Sequence, residues 1–237
     1  MAKLLIIKTG TKIPSLQDHP GDYEHWIAHG MRWPMEQVLV ADVQAGDPLP
    51  DAGSVAAVAI TGSGSMVTEQ APWMVRTAHW LTGAVDRGLP ILGICFGHQL
   101  LAWALGGRAD YNPRGIEVGT TTVNLTEAAA EDALFRVLPE RFPAQVSHSQ
   151  SVLALPAGAV RLGWSDMDDH QGFRFGERAW GLQFHPEFDD RIVPHYVEYY
   201  RERLLEQGRN ADELLGQVQA APESVGVLGR FGDLVRG

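Results

Sequence analysis

The segment from Pro90 to Leu105 restricts the folds open to this 237-residue chain more than any other. An apolar run enters through Ile91-Leu92, passes Gly93-Ile94-Cys95-Phe96-Gly97, and leaves through the helix-favouring stretch His98-Gln99-Leu100-Leu101. That order predicts a strand over Pro90 to Cys95, a sharp turn, and a helix over Gly97 to Leu105. Glycines stand two residues either side of Cys95, the chain's single cysteine, and residues without Cβ let a backbone reverse tightly. The arrangement is the elbow of G-x-S-x-G with sulfur in place of the hydroxyl, which lifts a nucleophile to where a substrate reaches it. A helix N-terminus beneath the sulfur favours negative charge there, and so favours a thiolate.

A base lies far downstream. Trp180-Gly181-Leu182-Gln183-Phe184 alternates as a strand does and runs into His185-Pro186-Glu187-Phe188. Proline biases the residue before it towards an extended conformation, so His185 and Glu187, two apart, should point to the same side. An imidazole with a carboxylate to orient it completes, with Cys95, the set that thiol-based acyl transfer requires.

The remainder alternates apolar runs with helical patterns, which predicts an α/β fold with a mostly parallel central sheet flanked by helices. Strands are predicted at Lys3 to Lys8, Gln37 to Asp42 and Val55 to Ile60, and helices at Tyr23 to Met31 and Pro72 to Asp86. From Gly115 to Gln183 short β segments take over, at Glu117 to Asn124, Ala159 to Trp164 and Gly172 to Phe175, and read as an antiparallel extension of the sheet. A helix is predicted over Arg191 to Glu206. The tail from Ala211 to Arg236 reads as helical, with breaks at Gly208 and Pro222. No repeat or low-complexity linker divides the chain, so one domain over 1–237 is expected, with a core of about 3–200 and a helical tail over 201–237.

The runs Gly93-Ile94-Cys95-Phe96-Gly97-His98-Gln99-Leu100-Leu101-Ala102 and Gln183-Phe184-His185-Pro186-Glu187 together resemble the triad, or class I, glutamine amidotransferases, over roughly residues 3 to 200. The resemblance implies their flavodoxin-like fold and hydrolysis of the glutamine side-chain amide through a thioester. By it Cys95 is the nucleophile, His185 the general base and acid, and Glu187 the orienting group. Thr61-Gly62-Ser63-Gly64-Ser65-Met66, after the strand at Val55 to Ile60, stands where the family carries its oxyanion loop. The family more often has two adjacent glycines and a proline there. The carry-over makes the backbone N–H groups of Ser63 and Phe96 the oxyanion donors. Val146-Ser147-His148-Ser149-Gln150-Ser151-Val152 resembles the strand-loop that holds the amino and carboxyl ends of glutamine, so Ser147, His148, Ser149 and Gln150 are expected substrate contacts, with Gln99 from the elbow helix.

The half-reaction implied needs no cofactor. Its expected partners are glutamine or a γ-glutamyl compound and, in the family's usual manner, a separate synthetase subunit that takes the ammonia. Two other readings stay open: a γ-glutamyl peptidase acting alone with the same triad, or an inactive binding or regulatory module. Loop Thr11 to Asp22 either covers or widens the leaving-group side.

A formal charge of −10 argues against nucleic-acid or anionic-membrane partners. One cysteine makes no intrachain disulfide, and Met1 to Lys8 holds too short an apolar stretch for a signal peptide, so a cytoplasmic location is expected. No metal site is expected. His25 and His29 share metal-ligand spacing without a third ligand and read as surface histidines, and the loop at Gly62 to Gly64 lacks the lysine of a phosphate loop. His98 reads as a structural hydrogen-bonder. Asp166, Asp168 and Asp169 read as a solvated turn, with a weak cation site as the alternative.

Overall fold

A computed structural model describes residues 3–237; Met1 and Ala2, the start of the N-terminal run weighed above as a leader, lie outside the described residues. Strand β1 (Lys3–Lys8) shows how the core is laid down. Its side chains alternate, Leu4 and Ile6 entering one apolar layer and Leu5 and Ile7 the other, all fully buried. A strand buried on both faces reads as a continuous apolar run, which is what parallel sheets covered by helices produce. Strands β2 (Val38–Asp42), β3 (Val55–Ile60) and β4 (Ile91–Ile94) join it, with helices α1 (Tyr23–Gly30) and α2 (Pro72–Asp86) as crossovers, and α3 (Phe96–Ala104) leaves β4.

Beyond α3 come β5 (Arg108–Tyr111), β6 (Glu117–Leu125), β7 (Arg141–His148), β8 (Gln150–Ala154), β9 (Val160–Trp164), β10 (Gly172–Phe175) and β11 (Ala179–Leu182). The last four helices are α4 (Val193–Tyr199), α5 (Arg201–Glu206), α6 (Ala211–Gly216) and α7 (Pro222–Arg236). The main sheet runs β2-β1-β3-β4-β11-β10-β9-β6-β7, and β5 pairs with β8 in a separate ribbon. The five strands from β2 to β11 are mutually parallel, and the rest extend the sheet antiparallel. Ile27, Tyr196 and Phe231 carry α1, α4 and α7 onto one face; Met74, Leu81 and Leu100 carry α2 and α3 onto the other. Among the described residues no helix is long and apolar enough to cross a membrane.

Three differences from the sequence expectation have local causes. Strand β7 carries Pro143, which weakens a strand pattern, yet it is an edge strand, where a missing N–H is tolerated. The ribbon β5–β8 pairs segments about forty residues apart, which local periodicity does not report. The helix expected over Arg191 to Glu206 begins at Val193 and is broken at Tyr200, whose φ of −96° and ψ of 5° leave the helical region and divide it into α4 and α5. The break expected at Pro222 is present as the first turn of α7, where proline's missing N–H costs nothing.

Candidate active site

Three neighbouring parallel strands end at one place. Ile60 of β3 is in register with Gly93 of β4, and Ile94 of β4 with Leu182 of β11, so the loop after Ile60, the residue after Ile94 and the segment after Leu182 emerge together. The carboxyl ends of parallel strands are where α/β sheets place their ligands. The Cys95 N–H donates to the Leu182 carbonyl at 2.8 Å, which continues the pairing one residue past β4.

Cys95 holds φ 50° and ψ −103°. A residue with a side chain rarely adopts such a backbone, and the strain, of order 1–3 kcal/mol, is held only where the surroundings over-determine it. Here the surroundings are two close approaches. A Cβ on Gly93 would lie 2.5 Å from the Gly97 carbonyl oxygen, and one on Gly97 would lie 2.5 Å from the Ile60 carbonyl oxygen. Helix α3 therefore sits directly on β3 and β4, and the turn between β4 and α3 has no room to relax.

His185 and Glu187 meet as their spacing predicts: Nδ1 of the ring is 2.7 Å from Oε1 of the carboxylate. The His185 N–H of the main chain donates to Gln145 O at 2.8 Å, and Phe188 stacks on the imidazole with ring centres 4.0 Å apart and planes 4° from parallel. Burial works against a charge on His185, but the negative charge of Glu187, with the Cys95 sulfur beside the ring, outweighs it and carries its pKa up to about 10. Cys95 and His185 line one pocket of about 110 Å³ with Ser63, Gly64 and Ser147. The Cys95 thiol faces the Ser147 carbonyl at 3.6 Å. Phe96, at the N-terminus of α3, is buried and follows Cys95 immediately.

The loop after β3 is fixed from behind. Thr61 Oγ1 accepts from the Thr9 N–H at 2.9 Å, and the Thr9 hydroxyl donates to the Thr61 carbonyl at 2.9 Å. Gly62 lies against the imidazole, where a Cβ would be 3.0 Å from His185 Cε1, and a Cβ on Gly10 would be 2.7 Å from Ser63 Cα. Ser63 Oγ accepts from the Ser65 N–H at 3.1 Å and from the Gln44 side-chain amide at 3.3 Å, which ties the loop to itself and to the segment after β2.

The expected substrate contacts divide. Ser147 is in the pocket wall. Gln99 spends its amide on Gln150 O at 2.7 Å and Gln183 Oε1 at 3.0 Å, and Gln150 reaches Thr68 at 2.6 Å. Ser149 is buried and does not line the pocket. His148 is fully enclosed: Nε2 meets Glu117 Oε2 at 2.8 Å and Nδ1 meets Gln150 O at 2.9 Å, so both nitrogens donate and the ring is an imidazolium. Burial opposes that charge, but the hydrogen bond and charge of Glu117, with Asp168 beside it, carry its pKa up to about 9.

This cluster corrects one expectation. Asp168 is not in a solvated turn; it is buried with Glu117 and His148, and burial raises its pKa. Its neighbour Asp169 remains at the surface, paired with Arg114. Glu117, His148 and Asp168 are close enough to suggest a metal ligand set, but a doubly donating imidazole has no lone pair for a cation. His98 is a second correction. It is buried between Phe173 and Gly181 with neither ring nitrogen hydrogen-bonded, and burial lowers its pKa to about 3, so it is a neutral packing residue.

The sequence reading missed much of the pocket wall. Tyr23 from α1 and Tyr196 from α4 join hydroxyls at 2.7 Å, and Tyr199, Tyr200 and Arg203 complete the opposite side. Thr11 and Ile13 show that the long loop after β1 covers part of the site; that loop is folded around the Lys12 ammonium, which donates to the carbonyls of Gln17, His19 and Gly21. The sign available in the sequence was position alone, since Thr9-Gly10 follows a parallel strand at its carboxyl end.

Comparison with known proteins places the chain. The family model described as glutamine amidotransferase class-I matches residues 16–201. The chain is 33% identical over 79% of its length to a glutamine-hydrolysing GMP synthase of Aeropyrum pernix, and 29% identical over 57% of its length to gamma-glutamyl peptidase 5 of Arabidopsis thaliana. It spans 34% of the first protein and 55% of the second. A solved glutamine amidotransferase from Thermotoga maritima shares the fold, with a TM-score of 0.76 at 22% identity over 99% of this chain and 98% of that one. The elbow at Cys95, the paired His185 and Glu187 and the strand ends that gather them are thus set in a chain that belongs to the class I glutamine amidotransferase family.

Proposed function

We propose that this protein hydrolyses the side-chain amide of glutamine through a thioester on Cys95 and releases glutamate and ammonia. The observation that carries the reading is the pairing, in one pocket, of a thiol on a strained elbow with an imidazole held 2.7 Å from its carboxylate. In this reading His185 holds the thiol's proton and the sulfur attacks the amide carbon. The developing oxyanion meets the backbone N–H groups of Ser63 and Phe96. The C–N bond breaks as His185 gives its proton to the leaving ammonia. Water then enters; His185 takes its proton while the oxygen attacks the thioester, and the C–S bond breaks to regenerate the thiol. Glu187 holds the ring's other nitrogen and stabilises the imidazolium throughout. Neither half of the cycle needs a cofactor, and a separate synthetase subunit is the proposed acceptor of the ammonia.

Cleavage of a γ-glutamyl bond to a larger amine is the second reading, favoured by the similarity to a plant protein named gamma-glutamyl peptidase. The acyl half is the same, so the triad does not separate the two. Steady-state kinetics on the purified protein with glutamine and with a γ-glutamyl dipeptide decide between them. Slow turnover of free glutamine is expected of a subunit that depends on a partner, whereas a peptidase turns over the dipeptide rapidly and alone. A diazo-ketone analogue of glutamine should label the protein once, at Cys95. A label elsewhere, or unchanged hydrolysis by Cys95→Ala, overturns the assignment.

A further inference from the structure

We propose that Arg203 is the specificity-determining cation of this pocket and binds the α-carboxylate of the substrate's glutamyl unit. The proposal rests on the hydrolase reading above and deepens it.

Arg203 lines the same pocket as Cys95 and His185, although it is 108 positions from one and 18 from the other. Its guanidinium lies 5.7 Å from the centre of the Tyr200 ring, and among the described residues no carboxylate lies within 4 Å of it. Its neighbour Arg201 shows the contrast, with Glu198 and Asp212 both at 2.7 Å. An arginine whose charge is not spent on a carboxylate, placed beside a reactive pocket, draws an anion towards it. Arginine's planar fork of donors matches a carboxylate better than any other side chain.

The charge of the substrate says which carboxylate. With the γ-amide at Cys95, the α-carboxylate is the one anionic group that glutamine brings, and Arg203 is the one lysine or arginine among the residues that line the pocket. A substrate with a free α-carboxylate is therefore selected, whether its leaving group is ammonia or a larger amine.

The test is binding to Cys95→Ala protein, measured by calorimetry with L-glutamine and with its neutral α-carboxamide. The parent should prefer the acid by tenfold or more, which corresponds to about 1.4 kcal/mol. Adding Arg203→Gln should bring the ratio near one, and Arg203→Lys should restore part of it. Arg203 is exposed, so both variants should keep the parent's unfolding curve. A ratio unchanged by Arg203→Gln, or no binding of glutamine at all, overturns the proposal. A parallel pair, γ-glutamyl-glycine and its glycinamide, asks whether the arginine reads the leaving group instead. Sensitivity confined to that pair also overturns it. Protein that binds glutamine with the expected preference but hydrolyses no γ-amide sinks the hydrolase reading and leaves the Arg203 assignment standing.

Discussion

A methyl group added at Gly97 sets two effects of opposite sign against each other. Gly97 lies in the first turn of α3, and alanine in a helix interior is favoured over glycine by about 1 kcal/mol. The new Cβ, however, would stand 2.5 Å from the Ile60 carbonyl oxygen and 2.8 Å from Ile60 Cβ, nearly 1 Å inside ordinary contact. Both obstacles belong to β3, the middle of the parallel sheet, and do not yield as a flexible side chain would. Overpacking of this kind costs about 1–3 kcal/mol or somewhat more, so Gly97→Ala should lose about 1–2 kcal/mol net. Gly83 in α2 and Gly226 in α7 supply the control, because a Cβ at either meets nothing within 4 Å. There alanine should gain about 0.5–1 kcal/mol. Urea unfolding of the three variants against wild type measures all of this, with the slope as the check on two-state behaviour. Steady-state hydrolysis adds the functional arm: a shift of the elbow by even half an ångström moves Cys95 relative to His185, and misplacement near 1 Å costs about a hundredfold in rate. A gain in stability at Gly97 equal to the controls would refute the claim that close approach, rather than turn geometry alone, holds this helix against the sheet.

Three further outcomes follow from the site. His185→Ala should be nearly as damaging to hydrolysis as loss of the thiol, and Glu187→Gln less so, since an amide still holds the ring but supports its charge poorly; kcat for the two variants in the reverse order would mean the roles are assigned wrongly. Gly62→Ala places a Cβ 3.0 Å from His185 Cε1 and should lower kcat about tenfold with little change in the unfolding midpoint, and an unaltered kcat would show that the loop gives way without disturbing the imidazole. Glu117→Gln should cost about 3–5 kcal/mol near pH 6, because it leaves the enclosed His148 without its counter-charge. The raised pKa of His148 means this pair's contribution is complete below about pH 6.5 and fades as pH rises through about 9, while the lowered pKa of Glu117 means it fades again below about pH 4.5. The gap in unfolding free energy between wild type and Glu117→Gln should therefore be widest between those limits; a gap that widens from pH 7 to pH 9 would contradict the pairing.

The sequence by itself determined the elbow, the partnership of His185 with Glu187 and the parallel core. Each is written in residues a few positions apart: glycines flanking Cys95, a proline between histidine and acid, apolar runs long enough to be buried on both faces. The resemblance that these residues carry was enough to indicate the family. The strand ends that bring residue 95 beside residue 185 were decided by sheet order, because β11 slots in next to β4 only after six intervening strands have gone elsewhere. The same holds for the back of the site. His148 and Asp168 were open or misread in the sequence because a charged residue looks solvated until its counter-charge arrives from another strand; here Glu117 of β6 faces His148 of β7 in register, and that register is a tertiary fact. The tyrosines and Arg203 were invisible for a related reason. Nothing in a helical pattern marks which exposed face will look across at a thiol, and only the packing of the segment after β11 against the sheet turns residues 196–203 towards Cys95.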